Sequence, residues 1–151
     1  MTAVAVQGEA REVVLAEAQA VHAMAVDERM RERLAELVAA AGEGEIGEDA
    51  AGLAESVLEL GLQSGRIRAV YGPGGEQAAL RTLRRLPRGR DRSESTREVS
   101  AALATLSGST LDSIGIAAVA PGAFTLTVEA GGVSASVRLD AGGARLVSLG
   151  T

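Results

Sequence analysis

The sequence predicts an α+β protein, with a helical part of about five helices over residues 9–107 and an antiparallel β-meander of three to four strands over residues 113–149. Three observations carry this prediction. Apolar residues recur at helical spacing through the first two thirds of the chain, and the period changes to two near residue 123. The alternating region is also punctuated by two matching segments, "EAGGV" and "DAGGA", eleven residues apart. Helices grouped first and strands grouped last are the order of an α+β fold. A meander of this kind has one apolar face that must be covered, and the preceding helices are expected to cover it. At 151 residues the chain is expected to form a single domain over 1–151.

Each element follows from local pattern. Residues 9–25, "EAREVVLAEAQAVHAMA", place Val14, Ala18, Val21 and Ala25 on one helical stripe. Residues 27–41 form a second helix, capped by Asp27 and stopped by Gly42, with Met30, Leu34, Leu37, Val38 and Ala41 inward. The two are expected to form a helical hairpin. After the loop "GEGEIG", a third helix over about 48–62 turns Leu53, Ala54, Val57, Leu58 and Gly61 inward. "RIRAVY", residues 66–71, reads as a short strand, and "GPGG" as a break. A fourth helix spans Glu76 to Leu86 and Pro87 closes it. "RGRDRSES" is then a loop, and a fifth helix begins at Ser95, whose spacing to Glu98 is that of a capping box.

The meander opens with "SIGIAAV", residues 113–119. Phe124, Leu126, Val128, Val137 and Leu139 are expected on the buried face, and Val147 and Leu149 continue it. Tyr71 and Phe124 are the only aromatics, so the core must be built from Leu, Val, Ile and Ala, which favours close helix packing.

Composition excludes several chemistries. Without cysteine there are no disulfides, no thiolate nucleophile and no thiolate metal ligands. Lysine is absent too, while Ala, Gly and Arg abound, the signature of GC-rich coding such as many bacterial genomes use, so arginine here is not in itself a choice for phosphate contacts. The first ten residues carry no basic region followed by an apolar run, and no apolar stretch approaches the ~18 residues of a membrane span. No membrane partner and a cytoplasmic location are therefore expected.

Motifs with chemical content are weak. His22, the only histidine, lies at the margin of an apolar helical stripe and reads as a boundary packing residue, because no nucleophile or ligand partner accompanies it. "YGPGGEQAAL" puts a glycine-rich turn before a helix start, but lacks the lysine and spacing of a phosphate loop. The acidic run Glu43, Glu45, Glu48 and Asp49 departs from a calcium loop at its fifth position, Gly47. No catalytic residue, cofactor or metal is expected.

Charge is the strongest signal. Residues 1–60 hold thirteen acidic and four basic residues, whereas residues 61–110 hold nine basic and four acidic. "LRTLRRLPRGRDRSESTR", residues 80–97, alone holds seven of the fifteen basic residues of a chain whose net charge is -5. Arg81, Arg84, Arg85, Arg88, Arg90 and Arg92 are the candidate interaction residues. Because matching carboxylates are already present in the chain, the expected partner is protein: the acidic helices of the same chain or of another copy. The function expected is a non-catalytic interaction module, an adaptor, scaffold or small regulatory subunit, that self-associates through complementary acidic and basic surfaces. Nucleic-acid binding through Arg81–Arg97 is the second reading. It is weaker, because no aromatics interleave the arginines and the acidic half repels phosphate.

Overall fold

The computed structural model describes residues 3–151. The fold is α+β, with five helices preceding an open four-stranded antiparallel meander. Element order is β1 (Val4–Ala5), α1 (Gly8–Met24), α2 (Glu28–Glu43), β2 (Glu45–Ile46), α3 (Glu48–Gln63), α4 (Arg66–Arg85), α5 (Pro87–Ala104), β3 (Leu111–Ala120), β4 (Ala123–Ala130), β5 (Val133–Asp140) and β6 (Gly143–Gly150). The chain divides into two compact units, Met1–Arg90 and Asp91–Thr151, with the division inside α5.

In the first unit, α1 and α2 pack together across a connection of residues 25–27. The Asp27 carboxylate accepts the Met30 N–H at 2.8 Å, the bond its capping position calls for. Helix α2 ends at Gly44 in the left-handed region, φ 85°. The pair β1–β2 is a minimal antiparallel ribbon, Val4 opposite Ile46, that ties the start of the chain to the α2–α3 connection. Val14, Ala18, Leu34, Leu37, Ala54, Leu58 and Ile67 are fully buried and form the centre of an aliphatic core. Close approach depends on Gly61, where a Cβ would lie 2.7 Å from Ile67 Cδ1 and 2.9 Å from Glu17 Oε2.

Two local expectations are corrected here. Residues 66–71 are helix, not strand: α4 begins at Arg66. The break expected at "GPGG" is present as a kink at Gly72 (φ 71°, ψ -173°), which divides α4 into two helical segments. A strand would point Arg66 and Ile67 to opposite faces, whereas a helical turn turns Ile67 and Tyr71 to one side, four residues apart. Ile67 is fully buried and Val70, between them, is exposed. The second correction follows the end of α4, which does close at its C-cap Leu86 just before Pro87: Pro87 then also starts a helix. It sits at the first helical position, where a missing N–H costs nothing and the fixed φ suits the helix. "RGRDRSES" is therefore the first half of α5 and not a loop.

In the second unit, strands are ordered β3-β4-β5-β6. The β4–β5 turn is Gly131–Gly132, both at positive φ (59° and 77°), as a tight hairpin needs. In the β5–β6 hairpin the turn is Ala141–Gly142, one residue earlier than its glycine pair. The Asp140 carboxylate accepts the Gly142 N–H at 2.8 Å and an Arg145 N–H at 2.9 Å. Register puts Phe124 opposite Leu139, Leu126 opposite Val137, and Val128 between Ile114 and Ala135, which makes one face of the sheet continuously apolar. Leu103, on α5, and Leu106, just after it, pack on Leu126, Val128, Ala130, Val133 and Ala135. Val128 and Val137 are buried as expected, Leu126 and Leu139 are half-buried, and Phe124 departs from expectation, being 41% exposed. Only Leu103 and Leu106, at the end of α5 and just after it, join the cluster on this face, and the margins of the face stay exposed.

Candidate functional site

The arginine-rich stretch is distributed over two helices. Arg81, Arg84 and Arg85 lie in the last turns of α4, and Arg88, Arg90 and Arg92 in the first turns of α5. Arg88 is committed within the first unit. Its backbone N–H donates to Glu55 Oε1 at 2.7 Å and its Nε to Glu55 Oε2 at 2.6 Å, while Nη2 reaches the Gly52 carbonyl and the Ser56 hydroxyl. The bond to Glu55 is the main reason the Arg88 pKa stays above its ordinary value, against an opposing effect of burial. Glu59 stands 4.0 Å away on the same helix. Glu55 is 1% exposed, so α3 supplies a buried carboxylate that caps the N-terminus of α5, where free N–H groups and the helix dipole favour negative charge.

Arg85 donates to the Ala5 carbonyl at 2.8 Å. Arg81 and Arg85 line an open cavity of about 540 Å³ with Gln7, Glu9 and Thr82. Glu9 also lies on this cavity, against Gly74, and offsets the positive charge. Arg84 and Arg90 are exposed, and Arg92 is half-buried with its aliphatic stem beside Gly143. The six residues do not share one role.

A second buried carboxylate was not singled out by sequence reasoning. Glu17, on α1, is 2% exposed and accepts from Arg66 Nε at 3.0 and 3.2 Å and from the Tyr71 hydroxyl at 3.0 Å. Burial is the main cause of a raised Tyr71 pKa, with the Glu17 carboxylate adding to it. The Arg66 pKa is raised chiefly by its bond to Glu17. The signal for both carboxylates was present: Glu17 falls between Val14 and Ala18, and Glu55 beside Ala54 and Leu58, each within an apolar helical stripe. Charge on a buried stripe needs a partner. Every oxygen of the two carboxylates accepts a hydrogen bond, Glu17 from Arg66 and Tyr71 and Glu55 from Arg88, so they anchor α4 and the start of α5.

His22 is half-buried in the last turn of α1. Among the described residues no three potential metal ligands converge, and no helix is long and apolar enough to cross a membrane.

The remaining surface of note is apolar. All ten residues of β3 are exposed, including Leu111 (53%), Ile114 (60%), Ile116 (63%) and Val119 (52%). Ile114 and Ile116 share the apolar face with Phe124 and, across the sheet, Leu149. Single exposed aliphatics are ordinary on a protein surface, whereas these form a contiguous set on one sheet margin.

Compared with protein-family models, curated proteins and solved structures, the chain gives no match.

Proposed function

We propose that this protein is a non-catalytic protein–protein interaction module that self-associates, and that its docking surface is the apolar margin of the sheet in the second unit. The observation that carries this reading is the exposure of Leu111, Ile114, Ile116 and Val119 on a strand that no other element of the second unit covers from outside. The acid–base complementarity expected from the charge distribution has a use inside the first unit, in the pairs Arg88–Glu55 and Arg66–Glu17. That use supports placing the contact between copies on an apolar surface. It also lowers the case for nucleic acid, since Arg85 and Arg88 already have partners. The buried ionisable groups Glu17 and Glu55 are held by structural bonds, which favours an interaction role over acid–base chemistry.

Sedimentation velocity over a concentration series from about 1 to 200 μM spans the range of a reversible micromolar association. A mass that rises with concentration, and is as large in high salt as in low, is the expected result. Association abolished by salt would return the contact to the charged surfaces. A monomer at every concentration would overturn self-association.

A further inference from the structure

Strand β3 is an edge strand whose central stretch, residues 113–118, carries none of the usual protection. Natural sheets blunt an exposed edge with lysine, proline, inward-pointing charge, a bulge or a covering element. Within β3, "LDSIGIAAVA", the only charged residue is Asp112, there is no proline, and the whole strand is exposed. Its register on β4 is regular from Ser113 to Ala118, with irregularities on either side. The outward N–H and C=O groups of that stretch form an open ladder flanked by isoleucines. The opposite edge differs. The register shift of β6 falls in the middle of its pairing with β5, whereas those of β3 fall near its two ends, and β6 carries a charge, Arg145, held by Asp140.

We propose that β3 is a dimer edge: residues 113–117 pair antiparallel with the same residues of a second copy, centred on Gly115, joining two four-stranded meanders into one eight-stranded sheet. This inference rests on the self-association reading and names its geometry. A second copy is the fitting occupant because an antiparallel strand pair about a two-fold axis is self-complementary and closes, whereas β3 on β6 of the next copy would propagate without closing. The two-fold must stand normal to the sheet, so both copies present the same face. Facing residue numbers then sum to an even number. Two registers use five residues of the regular stretch. Centring on Gly115 sets Ile114 opposite Ile116 of the second copy twice, giving a four-isoleucine cluster. Centring on Ile116 sets Ile114 opposite Ala118 and gives one isoleucine pair. Burial of apolar side chains favours the first. Such an edge contact covers on the order of 1,000 Å² in total, the low end for a specific interface, and so implies a reversible dimer.

The chain has no cysteine, so single introduced thiols report the contact without background. Gly115 has open space for a side chain and no positive φ. Facing Cα atoms of an antiparallel pair lie about 4.5–5.5 Å apart, within disulfide range. Under mild oxidation G115C is expected to form a disulfide dimer rapidly at a concentration where the native chain associates. S148C, on β6, is expected to remain at least tenfold slower. Native-chain dimer with no G115C cross-link, or equal cross-linking of S148C, would overturn the β3 pairing while leaving self-association standing. A native chain that stays monomeric overturns both. A sedimenting mass of the native chain that keeps rising past the dimer with concentration would indicate head-to-tail polymer, against the closed dimer. As a second variant, I116R places a charge at the isoleucine cluster and is expected to lower the association constant at least tenfold with an unchanged far-ultraviolet dichroism spectrum. Unchanged association would count against the edge.

Discussion

The two units of this molecule solve the burial of apolar surface differently. In the first, four helices and a two-stranded ribbon enclose an aliphatic core, and both carboxylates that fall inside it, Glu17 and Glu55, carry guanidinium partners. In the second, a four-stranded sheet has one apolar face of which Leu103 and Leu106 cover only the middle. A helix buries a narrow stripe and can be surrounded. A sheet presents a broad plane, and the contact of two leucines leaves its margins open. The first unit thus buries its apolar stripes within itself, and the second leaves apolar area exposed.

The contrast can be broken most severely in the first core. Leu58→Ala removes a fully buried side chain and is expected to cost about 3 kcal/mol, read by chemical denaturation. A loss under about 1 kcal/mol would mean that this core is looser than its burial implies. Next in size, Glu55→Ala removes the cap of α5 and leaves Arg88 without its main partner. The expected cost is about 2 kcal/mol, with faster amide exchange over residues 87–91 as the local signature. Unchanged exchange there would show that Pro87 and tertiary packing suffice to start the helix.

The second unit should respond oppositely. Ile116→Ala, at a position 63% exposed, is expected to change monomer stability by less than about 0.5 kcal/mol, while weakening association measurably by sedimentation. A large stability loss in the monomer would place Ile116 in a core and erase the distinction. The smallest effect concerns pH. Backbone donation from Gly142, then the Arg145 guanidinium, holds the Asp140 pKa below the usual aspartate range. Its contribution is therefore present above the pKa of an unfolded aspartate and is lost as pH falls through the lower, folded value. Acid titration followed by NMR should show the β5–β6 turn loosening only below the ordinary aspartate range. Asp140→Asn should flatten that response.

Periodicity alone determined the α+β order, an antiparallel meander of three to four strands and three of the helices, because spacing of apolar residues and paired glycines are local properties of the chain; the register of β6 departed from its glycine pair by one residue. The sequence also contained the sign of its buried carboxylates, as charges inside apolar stripes, although their partners Arg66 and Arg88 lie 49 and 33 residues away. Tertiary structure decided the rest. Residues 66–71 fit either period and became helix because that conformation brings Arg66 and Tyr71 to Glu17 and buries Ile67 beside Gly61. Residues 87–94 look like a loop until Glu55, from another helix, satisfies the N–H that starts α5. Phe124 alternates correctly yet stays exposed, since alternation assigns a face and only the side chains that pack on that face decide how much of it is buried.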